Sequence, residues 1–398
     1  MNPVVGVDVA KGASVVQAFL QRNKPFGKSK QIRHTPHGFE QLHALLKQLQ
    51  RETNQKPKII LEPTGHYHRI LVLYLKDQGY EVILVNPLQS HRAKQTGLRK
   101  VKTDAADAWH LGQLYYQQSD WTTQRRHEED RMDLQYLTRQ LEFITGLYVQ
   151  AKLNMGALLD QVFPTYPTVF KDVYSKVSLN LLEASLSDSF SDYTFEQWAS
   201  LLRKSAVRTP AETWITEKVQ RLQTAILQNP VRKIPYGLER ALQSMIGCIR
   251  VFQEQMTELE KLIEATSATV PDVLLLESIP GIGTKLAAVI AAELGDISQF
   301  NHPKQVVAFA GIDPSVFSSG QFVASENRIT KRGSKRLRRA VYLAVTCGLR
   351  KDLNSRIKPY YDKKKSEGKP HKVAVIACAN KLLHHIYSIL RKREPYAL

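Results

Sequence analysis

The order of strand-like and helix-like stretches in the first 120 residues most constrains the fold. Apolar, β-rich runs predict strands at Val4–Val9, Ser14–Leu20, Gln31–His34, Lys58–Glu62 and Glu81–Val85. Helical periodicity predicts helices at Pro36–Gln50, His66–Gln78 and Thr103–Tyr116, the last with Thr103 as its N-cap. Three strands followed by helix, strand, helix, strand and helix predict an α/β domain with a mixed sheet.

The middle of the chain is predicted to be mostly helical. Apolar residues recur every three or four positions in two stretches, which are Leu134, Leu137, Leu141, Ile144 and Tyr148, then Leu242, Met245, Ile249, Phe252, Met256, Leu259 and Ile263. Such patterns pack helix against helix, either as an intramolecular hairpin or between subunits. The aromatic-rich stretch between them, Phe163–Ser205, has no clear periodicity.

The last part of the chain contains a Pro-Gly-Ile-Gly turn. Residues 278–283 (SIPGIG) follow an apolar run and precede a small-residue helix, Thr284–Leu294. Two glycines around an apolar residue suit a helix-hairpin-helix element, although the pattern also occurs in ordinary turns. A short serine-containing loop, a basic stretch at Arg328–Arg339 and helices near 335–349 and 372–392 are predicted to follow.

The chain is strongly basic, and the charge is concentrated at one end. There are 56 Lys and Arg against 37 Asp and Glu, a net charge of +19, and residues 326–398 hold 20 basic and 5 acidic residues, a net of +15. Basic surfaces bind polyanions because neutralising phosphates releases condensed counterions. A nucleic-acid-binding C-terminal region is therefore favoured over a merely solubilising surface.

The cysteines and the hydropathy of the chain predict a cytoplasmic protein without a membrane partner. Cys248, Cys347 and Cys378 lie far apart with no CxxC or Cys/His spacing, which indicates free thiols and neither disulfides nor a zinc site. No signal peptide is recognised at the N-terminus. No apolar run approaches the ~18–20 residues that span a bilayer.

Four carboxylates lie within or at the ends of predicted elements of the first domain. Asp8 lies inside the first strand, Glu62 ends the fourth, and Asp104 and Asp107 share one face of the last helix. Burying a charge in an apolar strand is costly unless it is paired or binds metal. Each acid alone could be an N-cap, a turn residue or a solvated charge. Together they would repel one another, and Mg²⁺ or Mn²⁺ would remove that repulsion.

Three motifs together resemble those of the DEDD insertion-sequence transposases, described as bridge-RNA-guided serine recombinases. They are GVDVAK at 6–11, LEPTGHY at 61–67 and KTDAADA at 102–108. The resemblance covers almost the whole chain. It implies an RNase H-like, RuvC-like domain at 1–122, a helical coiled-coil domain at 123–265 and a mostly helical transposase domain at 266–398. It also implies that the metal-binding catalytic acids are Asp8, Glu62, Asp104 and Asp107.

The segment AGIDPSVFSSG at 310–320 resembles the transposase-domain signature of the same family. The family nucleophile is a serine just before a glycine, which Ser319 matches, with Ser318 as a near competitor and Ser315 as a distant one. A serine hydroxyl needs activation, and no histidine lies close in sequence, so the acids and their metal ions are expected to complete the site.

Several residues are predicted to contact nucleic acid, and each could instead be a solvated loop residue or part of an ordinary turn. They are Arg99, Lys100, Lys102, Gly281, Gly283, Arg328, Lys331, Arg332, Lys335, Arg336, Arg338 and Arg339. The resemblance further implies a guide RNA that pairs with donor and target DNA. It also implies a homodimer or homotetramer with composite sites between subunits.

Three other functions fit part of the sequence. A hydrolytic Holliday-junction-resolvase-like nuclease would use the four acids and water, and would leave no covalent protein–DNA link. A sugar-kinase or actin-like ATPase also begins with a Gly-x-Asp strand, but no second Gly-rich phosphate loop is recognisable, and KTDAADA would be unexplained. A non-catalytic RNA-binding scaffold would need none of the acids.

Overall fold

A computed structural model describes eleven stretches of the chain, which are residues 3–63, 65–85, 103–117, 128–186, 193–206, 208–230, 234–315, 318–319, 322–323, 328–350 and 353–396. They belong to two compact units, Met1–Arg126 and His127–Leu398. The division into three domains at 122 and 265 stays a prediction.

The first unit contains a mixed sheet of six strands. They are β1 (Val4–Ala10), β2 (Ala13–Gln21), β3 (Lys24–Pro25), β4 (Lys30–Arg33), β5 (Lys58–Leu61) and β6 (Val82–Leu84). The strand order is β3-β2-β1-β5-β6, and β4 also pairs with β2. β2 is antiparallel to its neighbours, whereas β1, β5 and β6 are parallel. The predicted mixed α/β sheet is confirmed, and only the two-residue β3 was missed.

Helices cover both faces of this sheet. They are α1 (Pro36–Thr53), α2 (His68–Asp77) and α3 (Asp104–Gln117). The odd-numbered valines of β1 share a core with α1 and α2, whereas Val4 and Ile60 share a second core with α3. A strand covered on both sides must be apolar on both sides, which explains the nearly continuous apolar run of β1.

Gly6 allows α3 to lie directly against β1. A Cβ atom at Gly6 would lie 2.1 Å from the carbonyl oxygen of Ala108 and 2.6 Å from the amide nitrogen of Gly112. Both neighbours are backbone atoms of a helix and cannot move aside independently. The absence of a side chain at Gly6 therefore determines how closely α3 approaches the strand that carries Asp8.

Gly6→Ala is expected to lower the free energy of unfolding by about 1–3 kcal/mol or more, because the new methyl group overpacks a rigid contact. Gly146→Ala is the matched control, since a Cβ at this helical glycine meets nothing within 4 Å. The control should gain about 0.5–1 kcal/mol from helix propensity. Urea unfolding of the full-length variants checks both values, and equal stability of the two would contradict the close contact.

The second unit is mostly helical. Its helices are α4 (Glu128–Val162), α5 (Lys176–Ser185), α6 (Phe195–Ser205), α7 (Glu212–Gln228), α8 (Tyr236–Ser267), α9 (Pro271–Glu277), α10 (Thr284–Leu294), α11 (Pro303–Ala310), α12 (Lys335–Gly348), α13 (Lys358–Ser366) and α14 (His371–Lys392). The described part of this unit also contains two 3₁₀ turns, Tyr166–Thr168 and Ile297–Gln299, and the paired strands β7 (Ser318–Ser319) and β8 (Phe322–Val323). The sequence analysis did not identify α5, α6, α7, α11 or α13, and α11 lies where only a short serine-containing loop was expected.

The two long apolar patterns pack against each other within the chain. Near one end of the pair, Leu134 of α4 and Ile263 of α8 belong to one core. Further along, the Gln253 side-chain amide donates to the Tyr148 hydroxyl at 3.2 Å. Residue numbers therefore rise on α4 as they fall on α8, so the helices form an antiparallel hairpin. Of the two open interpretations, the intramolecular hairpin is the one observed, while coiled-coil geometry and pairing between subunits stay predictions.

The helix α14 lies in the core of the second unit. By length and composition alone it could cross a bilayer, and among the described residues it is the one helix that meets this test. Half of its most apolar stretch is buried, and Val375, Leu382 and Ile386 share a core with α10, α11 and α12. A buried core helix can be as long and as apolar as a membrane-spanning helix, so the length and composition of α14 are only weak evidence for a membrane partner.

A buried ion pair ties together distant parts of the second unit. Asp272, at the start of α9, is fully buried and accepts hydrogen bonds from Arg131 of α4, at 2.5 Å, and from Arg393. Arg393 follows α14 in a left-handed conformation. Because a buried carboxylate is costly without such partners, these three residues hold α4, α9 and the end of α14 in one arrangement.

Candidate functional site

The sheet of the first unit places Asp8 beside Glu62. In the parallel pair of β1 and β5, the last matched residues are Val7 and Leu61. Asp8 and Glu62 are the next residues after this pair, Asp8 in the carboxyl-terminal half of β1 and Glu62 directly after β5. Asp8 still pairs with Val15 on its antiparallel side. Both acids are partly buried.

Asp8 and Glu62 project from the face of the sheet that α3 covers. Side chains alternate along a strand, and the odd-numbered Val5, Val7 and Val9 lie in the core on the α1 side. Even-numbered residues therefore face α3, as the contact between Gly6 and Ala108 shows. On β5 the even-numbered Ile60 packs in the core with α3, which places Glu62 on that face as well.

The N-terminus of α3 points to the same end of the sheet. Gly112 packs against Phe19, which pairs with Val4 at the start of β1. The backbone of Asn23 beyond that end donates to the Gln113 side chain at 3.3 Å. The later part of α3 thus lies near the amino end of β1, and its first turn lies toward the carboxyl end, where Asp8 and Glu62 are located.

Thr103 caps α3, as predicted. Its hydroxyl accepts from the Ala106 amide at 3.2 Å, and its carbonyl accepts from the Asp107 amide at 2.9 Å. Asp104 is exposed and Asp107 is partly buried. Carboxylates are favoured in a first helical turn because they complement the helix dipole, so stability alone accounts for part of their placement. Dipole stabilisation of α3 does not explain why acids also occur at Asp8 and Glu62.

The four acids form an oxygen-only donor set, which is the set that Mg²⁺ and Mn²⁺ prefer. The structure brings them to one face and one end of the sheet. Across the described residues, however, no three His, Cys, Asp or Glu side chains are close enough together to hold a metal ion. The types and the topology of the residues fit a metal ion, whereas metal binding by these acids stays a prediction.

The predicted nucleophile lies in a β-hairpin, where the residues taken alone predicted a loop. The backbone of Ser318–Ser319 (β7) pairs with Phe322–Val323 (β8), with Ser319 opposite Phe322. The side chains of Ser318 and Ser319 lie outside the described part of the chain.

At its base the hairpin is held by the third serine and by a polar pair. The Ser315 hydroxyl donates to the Arg328 carbonyl at 2.7 Å, and the Thr330 hydroxyl donates to Asp313 at 2.6 Å. Ser315, the distant competitor, therefore has a structural contact.

The predicted basic contacts differ in their surroundings. Arg99, Lys100 and Lys102 lie outside the described residues. Arg328, Lys331, Arg332, Lys335 and Arg339 are exposed. By contrast, Arg336 forms a hydrogen-bonded ion pair with Glu142, and Arg338 donates to the Ala310 carbonyl at 3.0 Å. These two arginines therefore hold α12 in place, which the sequence did not indicate.

The two glycines of the Pro-Gly-Ile-Gly turn have different environments. Gly281 has φ of +96°, and a Cβ atom there would lie 2.5 Å from the Gly348 amide nitrogen at the end of α12. Its lack of a side chain is thus required for packing. Gly283 is exposed at the N-terminus of α10, with nothing near the position of a Cβ atom. α9 and α10 pack together around this turn, whereas a helix-hairpin-helix contact with DNA stays a prediction.

The sequence analysis missed a buried acid that anchors the basic stretch. Glu293 of α10 is buried and accepts from the Arg139 side chain at 2.8 Å and from the Ser334 hydroxyl at 2.7 Å. Ser334 also caps α12 through the Leu337 amide. The signal was available, because Glu293 is the one acid in the apolar helix Thr284–Leu294, much as Asp8 is the one acid in an apolar strand.

Two family models match the chain. A DEDD-type IS110 model, described as Transposase, matches residues 5–164, and a model described as Transposase IS116/IS110/IS902 family matches residues 273–362. The first includes all four acids, and the second includes the serine hairpin and the basic stretch.

Several relatives extend these matches. An IS110 protein of Streptomyces coelicolor is 29% identical over 40% of this chain, and the match spans 38% of that relative. An IS900 protein of Mycobacterium paratuberculosis is 24% identical over 82% of this chain and 81% of its own length. The pilin gene-inverting protein of Moraxella bovis is 22% identical, over 98% of this chain and 97% of its own length.

A solved structure of RuvC from T. thermophilus with a Holliday junction substrate aligns at 10% identity. It covers 31% of this chain and 100% of the RuvC chain with a TM-score of 0.24, a value too low to establish a common fold. The family models instead define the class, which is a DNA transposase or recombinase. Within that class, the chain belongs to the IS110/IS116/IS902 family of insertion-sequence transposases.

Proposed function

We propose that the chain is an RNA-guided DNA recombinase that cuts and rejoins DNA through a covalent phosphoserine intermediate. The observation that supports this proposal is that the elements carrying the four acids share one end of the sheet. Asp8 and Glu62 lie toward the carboxyl ends of adjacent parallel strands, and the first turn of α3, with Asp104 and Asp107, points to the same end of the sheet. The proposed fold of this unit is RNase H-like and RuvC-like, for which the single antiparallel β2 and the parallel β1, β5 and β6 are the support.

The four acids are proposed to hold Mg²⁺ or Mn²⁺ at the carboxyl ends of β1 and β5. A bound divalent ion would supply Lewis-acid polarisation of the phosphoryl oxygens and would offset the repulsion among the carboxylates. Asp8 and Glu62 would be held rigidly because they belong to a hydrogen-bonded sheet. Asp104 and Asp107 would be oriented by the Thr103 cap, which fixes the first turn of α3.

The covalent step is proposed to begin at a serine hydroxyl, with Ser319 as the first candidate. Its oxygen attacks the phosphorus of a DNA phosphodiester, forming a serine–phosphate bond. The bond between phosphorus and the leaving deoxyribose oxygen breaks, and the serine proton is transferred to a base while the leaving oxygen gains a proton. The reverse reaction with another DNA hydroxyl rejoins the strand. No nucleotide cofactor is required, because the number of phosphoester bonds is conserved.

The family resemblance also supports three further parts of the proposal, which are a guide RNA, an oligomeric working form and a cytoplasmic location. A guide RNA would pair with donor and target DNA, so that the protein would recognise backbone and shape more than base sequence. The working form would be a homodimer or homotetramer in the cytoplasm. RNA that co-purifies with the protein, identified by sequencing, would support the guide.

The first experiment is a search for the covalent intermediate. The wild-type protein, co-expressed with its native flanking DNA, is incubated with a donor junction and Mg²⁺, and the products are separated under denaturing conditions. A metal-dependent, denaturant-resistant protein–DNA adduct is the expected result. Metal-dependent cutting without any adduct would instead establish the hydrolytic resolvase-like nuclease.

A further inference from the structure

The segment 358–372, here called the lysine segment, is an unusually basic part of the second unit. It contains six lysines, two acids and no arginine. It includes α13 and the start of α14, and its lysines after residue 358 lie beyond the stretch that the family model matches. Tyr360 and Tyr361 pack, partly buried, against the core, but no residue of α13 is fully buried, so much of this helix faces solvent.

Ion pairing within the lysine segment leaves most of its charge unneutralised. Asp362 pairs with Lys358 at 3.4 Å, and Glu367 pairs with Lys364 at 2.7 Å. The side chains of Lys363, Lys369 and Lys372 are exposed. With both acids of the segment already paired, these three lysines remain as a cationic surface toward solvent.

Helix stability explains only some of these lysines. Lys363, Lys364 and Lys365 occupy the last turn of α13, where cations interact favourably with the helix dipole. Lys372 and His371 lie in the first turn of α14, which has no acid and where a cation is unfavourable. A positive charge at that position lowers stability and thus indicates a role outside folding.

The lysine segment is also held in a defined position. The Tyr360 ring has the ammonium groups of Lys364 and Lys381 at 5.5 and 4.9 Å from its centroid. The Tyr361 hydroxyl hydrogen-bonds to His371 Nδ1 at 2.8 Å and so joins α13 to the start of α14. These contacts preorganise the surface, which distinguishes it from a mobile charged tail.

We propose that the lysine segment binds the sugar-phosphate backbone of the duplex DNA substrate without reading its sequence. Lysine acts as a point charge toward phosphate, whereas arginine is the residue that recognises base edges in a bidentate manner. The segment has lysines alone, in contrast to the arginine-rich stretch 328–339. It would therefore hold duplex DNA through its backbone alone. The inference rests on the class of DNA transposase and is independent of the serine chemistry.

The test is the salt dependence of DNA binding by the full-length triple variant Lys363→Gln, Lys369→Gln, Lys372→Gln. Glutamine preserves helix propensity and removes the charge. Each lost phosphate contact lowers the slope of log affinity against log salt by about 0.9, so three contacts lower it by about 2.7. When salt is raised from about 50 to 200 mM, the fold-loss of affinity in the variant should then be about 40 times smaller than the fold-loss in the wild type.

The matched control is Lys171→Gln, Lys176→Gln, Lys261→Gln, which removes the same charge from three exposed lysines of other helices and loops. Fluorescence anisotropy with a labelled random-sequence DNA duplex measures each slope, and circular dichroism checks folding. Equal slopes for the two variants would overturn the proposal. An effect on a random-sequence RNA probe with an unchanged DNA slope would also overturn it. Because no cleavage is needed, loss of strand exchange cannot mimic either outcome.

Discussion

Asp8→Asn is expected to lower DNA strand cleavage by at least about 1000-fold, which corresponds to about 4 kcal/mol of transition-state stabilisation. Asparagine has nearly the same shape but lacks the negative charge that would hold a divalent ion. Asp8 is held within β1 by its pairing with Val15 of β2, so its backbone position is fixed. Binding of DNA should change little, because the predicted phosphate contacts are basic residues elsewhere in the chain. Single-turnover cleavage and anisotropy measure the two effects separately.

The control is Asp77→Asn, which removes an exposed acid from α2 on the opposite face of the sheet. It should leave cleavage within a few-fold of the wild-type rate, since it lies outside the proposed site. Glu62→Ala and Asp107→Ala should behave like Asp8→Asn if the strand-end acids and the first turn of α3 act together. Full cleavage by Asp8→Asn in Mg²⁺ would refute the assignment of the metal site.

Ser319→Ala is expected to abolish the denaturant-resistant protein–DNA adduct, with a loss of at least about 1000-fold in strand exchange. Removal of the hydroxyl removes the atom that would form the bond to phosphorus, and a methyl group cannot replace it. The neighbouring variant Ser318→Ala is the matched control, because it makes the same change one residue earlier in β7. DNA affinity should remain the same in both variants.

The outcomes of this pair discriminate between three mechanisms. Loss of the adduct in Ser319→Ala alone supports the proposed nucleophile. Loss of the adduct in Ser318→Ala alone would assign Ser318 as the nucleophile and leave the covalent mechanism intact. Unimpaired cutting by both variants with no adduct in either would make the chain a hydrolytic nuclease. Ser315 is the least suited of the three, since its hydroxyl donates to the Arg328 carbonyl.

Local patterns predicted the elements of the first unit well. Strand and helix periodicities are properties of a few consecutive residues, and β1, β2, α1, β5, α2 and α3 were found close to their predicted limits. Thr103 was identified as a cap because capping uses the helix's own first turn. The helices α11 and α13 were missed because they are short. Contacts with α14, including the Tyr360 and Tyr361 contacts, position α13.

The sequence by itself determined that the first unit is an α/β domain with a mixed sheet, and which acids stand at the ends of its elements. Only the tertiary structure decided that Asp8 and Glu62 are neighbours and that the first turn of α3 points toward them. Strand register and helix direction depend on pairings between residues more than fifty positions apart, such as Val7 with Leu61 and Gly6 with Ala108. Likewise, only packing showed that Arg336 and Arg338 bind within the protein, because a charged residue's partner is chosen in space.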